Sequence, residues 1–309
     1  MSSKTTIPIF PTFKSLEITD KSAIEEITGK HPPYSDYNFA SLWSYNVSDD
    51  IVISRLNTNL VVRFRDYVTN IPFYSFIGEI EVIDTVRTLL DYSQKQGLET
   101  MLKLIPEVTI RAISNTAHQF TIQEDPDNFD YIYSTLELTE LKGSKYGKKR
   151  NFVHKFTKEY ADASVSVLNL QNQTIHDELI RLFHIWNTNK DRDLSESAHE
   201  LTALKRLLNH ASHFNLHVLG IHHSGALIAF TIVEISQNGF GVFHFTKANI
   251  DYQGVYSMLY HTVAKQLHEK GVTHLNREQD LGISGLKKAK SEWNPTHHLK
   301  KYSITPKLR

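Results

Sequence analysis

The chain has 309 residues, of which 40% are hydrophobic and 11% aromatic, so it is long enough for two domains with apolar cores. Its 34 basic and 34 acidic residues give a formal net charge of zero, which excludes a global field that recruits nucleic acid or membrane. It has no cysteine, which excludes disulfides and thiolate catalysis, and it has no apolar run of membrane-spanning length. We expect a soluble protein of the cytoplasm, at most peripheral at the inner face of the membrane.

The first half of the chain shows an ordered series of strand and helix patterns. Two β-type runs at 51–56 and 60–64 flank a polar turn and predict a hairpin, and 73–77 predicts a third strand. A helical apolar face over 81–96 is stopped by a glycine, and an apolar run at 100–105 predicts a further strand. The order is hairpin, strand, helix, strand.

The second half repeats that order. A Ser-Gly turn joins runs at 216–222 and 226–235 into a hairpin, and 242–245 is a buried strand. Apolar residues at every fourth position then predict a helix over 254–270, and 272–275 predicts the last strand. The repeated order predicts two copies of one α/β fold, with domains at 1–135 and 136–309. Two unrelated α+β units are the alternative.

A charged cluster follows the last of these strands. Ligands in open α/β sheets lie beyond the carboxyl ends of strands, which is where Asn276, Glu278 and Asp280 stand. Asp280 or Glu278 is a candidate general base for an attacking amine or hydroxyl. Alternatively, Asp280 caps a helix that starts near Ile283.

Basic residues offer two candidate anion sites. Lys287 and Lys290 lie on the next predicted helix, where they would hold a phosphate or form a solvated face. A basic tract at 142–150, with interleaved aromatic residues, predicts an amphipathic helix. It would bind RNA or anionic headgroups, with Arg150 and Asn151 as members, or else only solvent.

The histidines do not predict a metal site. There are 17 of them, but no HExxH or comparable spacing occurs. His244 lies in a central apolar strand, and we expect it to be a core residue rather than a catalyst.

The strand–loop–helix segment around residues 242–275 resembles the GNAT acyltransferase fold. In that fold the loop before the helix holds the pyrophosphate of acyl-CoA, and the corresponding positions here are Gln253 and Gly254. Only one of the usual glycines is present, and Tyr256 stands where a second would admit a pyrophosphate. Acyl-CoA is therefore the disfavoured donor.

Three longer motifs resemble the C-terminal domain family of bacterial phosphatidylglycerol lysyltransferases. They are PPYSDYNFASLW at 32–43, DYIYSTLELTELKGSKYGKKRNFVHKF at 130–156 and NREQDLGISGLKKAKSEWNP at 276–295. The resemblance implies an α/β fold of two tandem GNAT-like domains with mixed central sheets. It also implies that the second domain carries the active site.

The resemblance also implies an activity. It is transfer of an aminoacyl group, with aminoacyl-tRNA as donor, to an amine or hydroxyl acceptor such as a lipid headgroup or a peptide. Two alternatives stay open. One is a non-catalytic module that binds a small ligand or a partner, and the other is an acyl-CoA-dependent N-acetyltransferase.

Overall fold

The computed structural model describes residues 6–66, 69–113, 119–190, 194–236 and 238–307, which form two seven-stranded sheets with flanking helices. The strands of the first sheet, in spatial order, are β1 (Lys14–Ser15), β2 (Val52–Leu56), β3 (Asn59–Arg65), β4 (Pro72–Ile77), β5 (Leu102–Pro106), β14 (Lys301–Pro306) and β6 (Phe120–Glu124). Those of the second sheet are β8 (Ser164–Val167), β9 (Leu216–His223), β10 (Ala226–Ile235), β11 (Phe240–Ala248), β12 (His274–Asn276), β7 (Asp130–Ser134) and β13 (His297–Leu299). The α-helices are α1 (Lys21–Thr28), α2 (Phe39–Tyr45), α3 (Val82–Lys95), α4 (Glu107–Arg111), α5 (Thr135–Glu140), α6 (Gly147–Glu159), α7 (Gln173–Asn189), α8 (Leu194–Asn209), α9 (Val255–Glu269) and α10 (Ser284–Ser291).

The two sheets have the same topology. In each, a hairpin and a third strand run antiparallel, and a helix then leads to a fourth strand that pairs parallel with the third, as β5 with β4 and β12 with β11. The helix between them is α3 in the first sheet and α9 in the second. The prediction of two copies of one mixed α/β fold is confirmed.

Each sheet also takes one strand from the other half of the sequence. β7 follows β6 in the chain but pairs with β12 of the second sheet. β14 follows β13 but pairs with β5 and β6 of the first sheet. The sequence did not predict these partners. β7 ends at Ser134, because the Ser134 hydroxyl accepts a hydrogen bond from the Glu137 amide and starts α5.

Contacts divide the chain into two units that are not contiguous in sequence. Unit 1 comprises Met1–Asp130, Gln279–Lys287 and His298–Arg309, and unit 2 comprises Tyr131–Glu278 and Lys288–His297. The sequence placed the boundary at 135/136 and all later residues in the second domain. The two late segments belong instead to unit 1, where β14 completes the first sheet.

Helix α9 packs as its period predicts. Val255, Leu259, Val263 and Leu267 are all buried in the core of unit 2. Burial of side chains of this size contributes about 1.5–3 kcal/mol each. The helix begins after Gly254, whose φ is +88° and whose added Cβ would lie 2.5 Å from the Phe152 carbonyl oxygen. Glycine is required there both for the left-handed backbone and for the close approach of α6.

Candidate active site

The parallel strands β11 and β12 stay paired over only three residues. Their register runs from Phe240 opposite His274 to Val242 opposite Asn276, whereas β11 continues to Ala248. Side chains that follow the last paired residues therefore lie where the two strands separate. In an α/β sheet such a separation is a typical place for a ligand.

His244 is the extra residue of a β-bulge at this point. Ile232 of β10 lies opposite Phe245 and the next residue, Val233, lies opposite Phe243, so His244 has no partner position across the ladder. A bulge turns one side chain away from the regular alternation and is frequent beside active sites. The His244 side chain is fully buried.

Two carboxylates flank the His244 ring in unit 2. Its Nε2 lies 3.7 Å from Glu234 Oε2, and its Nδ1 lies 3.8 Å from Glu278 Oε1. These are charge contacts rather than close hydrogen bonds. Burial lowers the pKa of His244, but the two carboxylates outweigh burial and raise it from 6.5 to about 9. The imidazole is therefore protonated at neutral pH.

The backbone of Glu278 is held in an uncommon conformation. Its φ is +58°, in the left-handed region that a residue with a side chain adopts only when its surroundings impose it. Its amide donates to Asn276 Oδ1 at 2.7 Å, and its carbonyl accepts from the Tyr131 amide at 3.2 Å and from Lys290 Nζ at 3.0 Å. Three contacts thus fix the backbone of Glu278, and 22% of its side chain is exposed.

A second cation lies further along β11. Lys247 is buried, with its Nζ 2.6 Å from Glu200 Oε1 of α8 and 3.4 Å from the centre of the Trp186 ring of α7. An ammonium over an indole face gains cation–π attraction in addition to its ion pair. This arrangement holds α7 and α8 beside the strand that carries His244.

The candidates Asn276, Glu278 and Lys290 are brought together in unit 2, but their roles differ. Asn276 is fully buried and shapes the loop, and the Lys290 ammonium donates to the carbonyl oxygens of Arg277 and Glu278. The side chains of Asn276 and Lys290 therefore hold the backbone around Glu278. Glu278 differs from these two residues because its side chain is a carboxylate that is partly exposed.

Asp280 and Lys287 belong to unit 1. Asp280 is fully buried and its Oδ1 accepts from the Gly282 amide at 2.8 Å, a contact that shapes the turn before α10. The helix begins at Ser284, close to the predicted start. Lys287 is exposed on α10.

The predicted phosphate loop lies at the start of α9. The Gln253 amide donates to the Tyr160 hydroxyl at 3.3 Å, and the Phe152 carbonyl of α6 closely approaches Gly254. Tyr256 is partly buried, and burial raises the pKa of its hydroxyl. The chain itself thus occupies space at this helix terminus.

Much of the basic tract is neutralised within unit 2. Lys142, Lys145 and Lys149 form ion pairs with Glu140, Glu137 and Glu292, at 2.6, 2.7 and 3.1 Å. The guanidinium of Arg150 donates to the carbonyl oxygens of Leu141 and Gly143, so it holds the chain that follows α5. Asn151 is exposed on α6.

The sequence did not single out Glu234 as part of this site. It is the one acidic residue of the apolar run ALIAFTIVEI, and a lone carboxylate in a buried strand was the available signal. The sequence predicts His244 as a core residue. It is buried, yet its two carboxylate neighbours come from positions 10 residues before and 34 residues after it, which sequence spacing does not reveal.

The topology and the divergent strands define the class of protein as a tandem GNAT-like α/β acyltransferase fold. The chain matches the family described as "Phosphatidylglycerol lysyltransferase, C-terminal" over residues 30–305. It belongs to that family, which confirms the resemblance drawn from the three motifs.

Known structures agree with this assignment. A conserved protein of unknown function from Bacteroides thetaiotaomicron has 26% identity and a TM-score of 0.84, with 98% of this chain and 100% of that one covered. A C-terminal domain assigned to a lysylphosphatidylglycerol synthetase from Agrobacterium fabrum has 13% identity and a TM-score of 0.65, with 92% and 91% covered. The second likeness establishes shared fold alone.

One sequence relative is an uncharacterized protein of Mycoplasmoides gallisepticum. It is 24% identical over 187 residues, which span 59% of this chain and 57% of that protein's own length. Among the helices that the structure describes, none has both the length and the apolar composition needed to cross a membrane.

Proposed function

We propose that the protein transfers an aminoacyl group from an aminoacyl-tRNA to an amine or hydroxyl acceptor, at the point where β11 and β12 separate. The observation that carries this proposal is the Glu278–His244–Glu234 arrangement, in which a protonated imidazole lies between one buried and one partly exposed carboxylate. Family membership supports the reaction class.

Acyl transfer from an ester needs a group that takes a proton from the nucleophile. Glu278 meets this need because its carboxylate is partly exposed and its backbone is held by Asn276. The acceptor attacks the ester carbonyl, and its proton passes to Glu278. The bond to the ribose oxygen then breaks, and the proton goes to that oxygen as the tRNA leaves. His244 acts as a positioning residue that orients Glu278 through charge.

The structure of the α9 terminus favours a donor other than acyl-CoA. Pyrophosphate binding at a helix N-terminus requires free amides and open space. Here the Gln253 amide is bonded to Tyr160 and the Phe152 carbonyl lies against Gly254. An oxygen atom of the chain at that position repels a phosphate. This supports aminoacyl-tRNA over acyl-CoA and ordinary N-acetylation.

The direct test measures transfer of labelled lysine from lysyl-tRNA to phosphatidylglycerol vesicles by the purified protein. Glu278→Gln should lower the rate about 10²- to 10⁴-fold, the usual contribution of a general base. Glu269→Gln, which removes an exposed carboxylate at the end of α9, should leave the rate unchanged.

Two results would count against the proposal. Full activity in Glu278→Gln removes that residue from the chemistry. Absence of transfer by the wild-type protein with lysyl- and alanyl-tRNA, to vesicles and to free amines alike, leaves the non-catalytic binding module as the better description.

A further inference from the structure

The outer strand β8 of unit 2 is an open edge of its sheet. It pairs with β9 on one side, with Ser164 opposite His222 and Val167 opposite Leu219, and no other strand within the described residues pairs with it. The register of this pairing is regular, without a bulge. A strand edge of this kind can add a strand of another chain, and proteins usually prevent this with charged residues, very short edge strands or bulges.

The outer strands at the other sheet edges carry such protection. β1 has only two residues, one of which is Lys14, and β13 has only three and is followed by Lys300. β6 ends in Glu124, which forms an ion pair with Lys300. In contrast, residues 163–168 around β8 include no charged residue and no proline, and Val167 is 58% exposed. β8 is therefore the edge at which addition of a strand is least opposed.

The outward backbone groups of β8 have a defined spacing. The Leu168 amide donates to the Val218 carbonyl of β9, and because an antiparallel ladder alternates, Ser166 also directs its backbone groups toward β9. The N–H and C=O groups of Val165 and Val167 point away from β9, and within the described ranges they have no hydrogen-bond partner. An added antiparallel strand must supply the same pattern, with outward groups on two residues that are two positions apart.

A second copy of β8 has this pattern. When two copies run antiparallel about a two-fold axis at Ser166, Val165 of each copy lies opposite Val167 of the other, and each such pair exchanges two hydrogen bonds. The two Ser166 side chains face each other and can share a hydrogen bond. Asp162, the nearest charged residue, lies opposite Leu170 of the other copy, so no like charges are opposed. The formal net charge of zero also means that two copies do not repel each other.

We propose that two copies of the protein associate through β8, with the two strands antiparallel and Ser166 at the two-fold axis. The contact is small, so we expect reversible self-association with a dissociation constant between about 10 µM and 1 mM. This interface does not depend on the proposed transfer activity, because none of its residues belongs to the Glu278–His244–Glu234 arrangement.

Sedimentation velocity of the full chain, from about 5 µM to about 2 mM, tests the proposal across that range. Ser166→Glu places two carboxylates opposite each other and should weaken the dimer at least about ten-fold, and Ser166→Lys should do the same with two ammonium groups. An equimolar mixture of the two variants should form a heterodimer, because opposite charges then meet at the axis. Ser291→Glu, at an exposed serine that ends α10, is the control and should dimerise like the wild type.

Three results would overturn the proposal. The first is a wild-type protein that stays monomeric over the whole concentration range. The second is a dimer that persists unchanged in Ser166→Glu, which would place the interface elsewhere. The third is a mixture of Ser166→Glu and Ser166→Lys that stays monomeric, which would exclude the register in which Ser166 faces its own copy.

A measurement on the unaltered protein covers the case in which the variants fail to fold. The amide hydrogens of Val165 and Val167 should exchange with solvent more slowly at high than at low protein concentration, because the dimer buries them in hydrogen bonds. The amides of the edge strand β6 of unit 1 should show no such dependence. Equal exchange of Val165 and Val167 at both concentrations would refute the assignment.

Discussion

In each unit of the molecule a buried cation lies between two carboxylates. The two clusters differ in how closely the cation contacts its carboxylates. In unit 1, Lys301 Nζ lies 2.7 Å from Asp130 Oδ1 and also pairs with Asp36, and all three side chains are almost fully buried. In unit 2, His244 lies 3.7 and 3.8 Å from Glu234 and Glu278. The first cluster is closely hydrogen-bonded, whereas the second has longer contacts and one partly exposed carboxylate.

The surrounding contacts explain this difference. The Ser35 hydroxyl donates to Asp130 Oδ1 at 2.6 Å and the Ser35 amide donates to Oδ2 at 2.7 Å. These bonds occupy both oxygens, so the cluster has little capacity for a ligand. Burial lowers the pKa of Lys301, but Asp130 and Asp36 outweigh it and raise the pKa above 10.5. The first cluster is thus satisfied within the chain, whereas the second keeps the partly exposed carboxylate on which our proposed function depends.

The largest effect on stability is expected from breaking the closed cluster. Lys301→Met leaves two carboxylates buried without their cation, which should lower the free energy of unfolding by about 3–5 kcal/mol. Lys300→Met is the matched control, because that adjacent lysine is 40% exposed and pairs with Glu124 at the surface. Urea unfolding of both variants measures the two free energies of unfolding. Equal stability of the two would show that Lys301 is not structural.

The open cluster should make stability depend on pH. Because folding raises the pKa of His244 from 6.5 to about 9, its stabilisation is complete below pH 6.5 and is lost as pH rises through 9. The stability difference between wild type and His244→Gln should shrink by about 3 kcal/mol between those limits. Urea titrations from pH 6 to 10 measure it.

His217 supplies the control for this titration. It is buried in β9 of the same sheet, but burial and the nearby Lys270 lower its pKa, so its titration falls below pH 6.5. The stability difference between wild type and His217→Gln should therefore stay constant above pH 7. If the stability difference between wild type and His244→Gln is equally constant, the imidazole is not charged between its carboxylates.

The smallest of these effects concerns Asp280, the other catalytic candidate from the sequence. Asp280→Ala removes the acceptor of the Gly282 amide and should cost about 1–2 kcal/mol of stability. Asp280→Asn keeps an oxygen acceptor and should cost less. Both should keep the turnover of the folded fraction, in contrast to Glu278→Gln. A large loss of turnover at full stability in Asp280→Asn would return the catalytic role to Asp280.

Local patterns predicted most of the secondary structure. The apolar period of α9 and the hairpins β2–β3 and β9–β10 appear at or close to the expected residues. These elements depend on neighbours within a few residues, so the chain's own periodicity and turn residues specify them. The same patterns, taken together with three motifs, indicated the tandem fold and the family.

Only the tertiary structure decided which strands and charges meet. The exchange of β7 and β14 depends on pairings between segments far apart in sequence, and an isolated strand pattern carries no information on its partner. The site depends in turn on those pairings. The bulge at His244 arises from register with β10, and the position of Glu278 depends on Asn276, Tyr131 and Lys290. The sequence by itself thus determined the elements and the family. Long-range pairing brought His244 beside Glu234 and Glu278, because burial and charge contacts exist only once the sheets have formed.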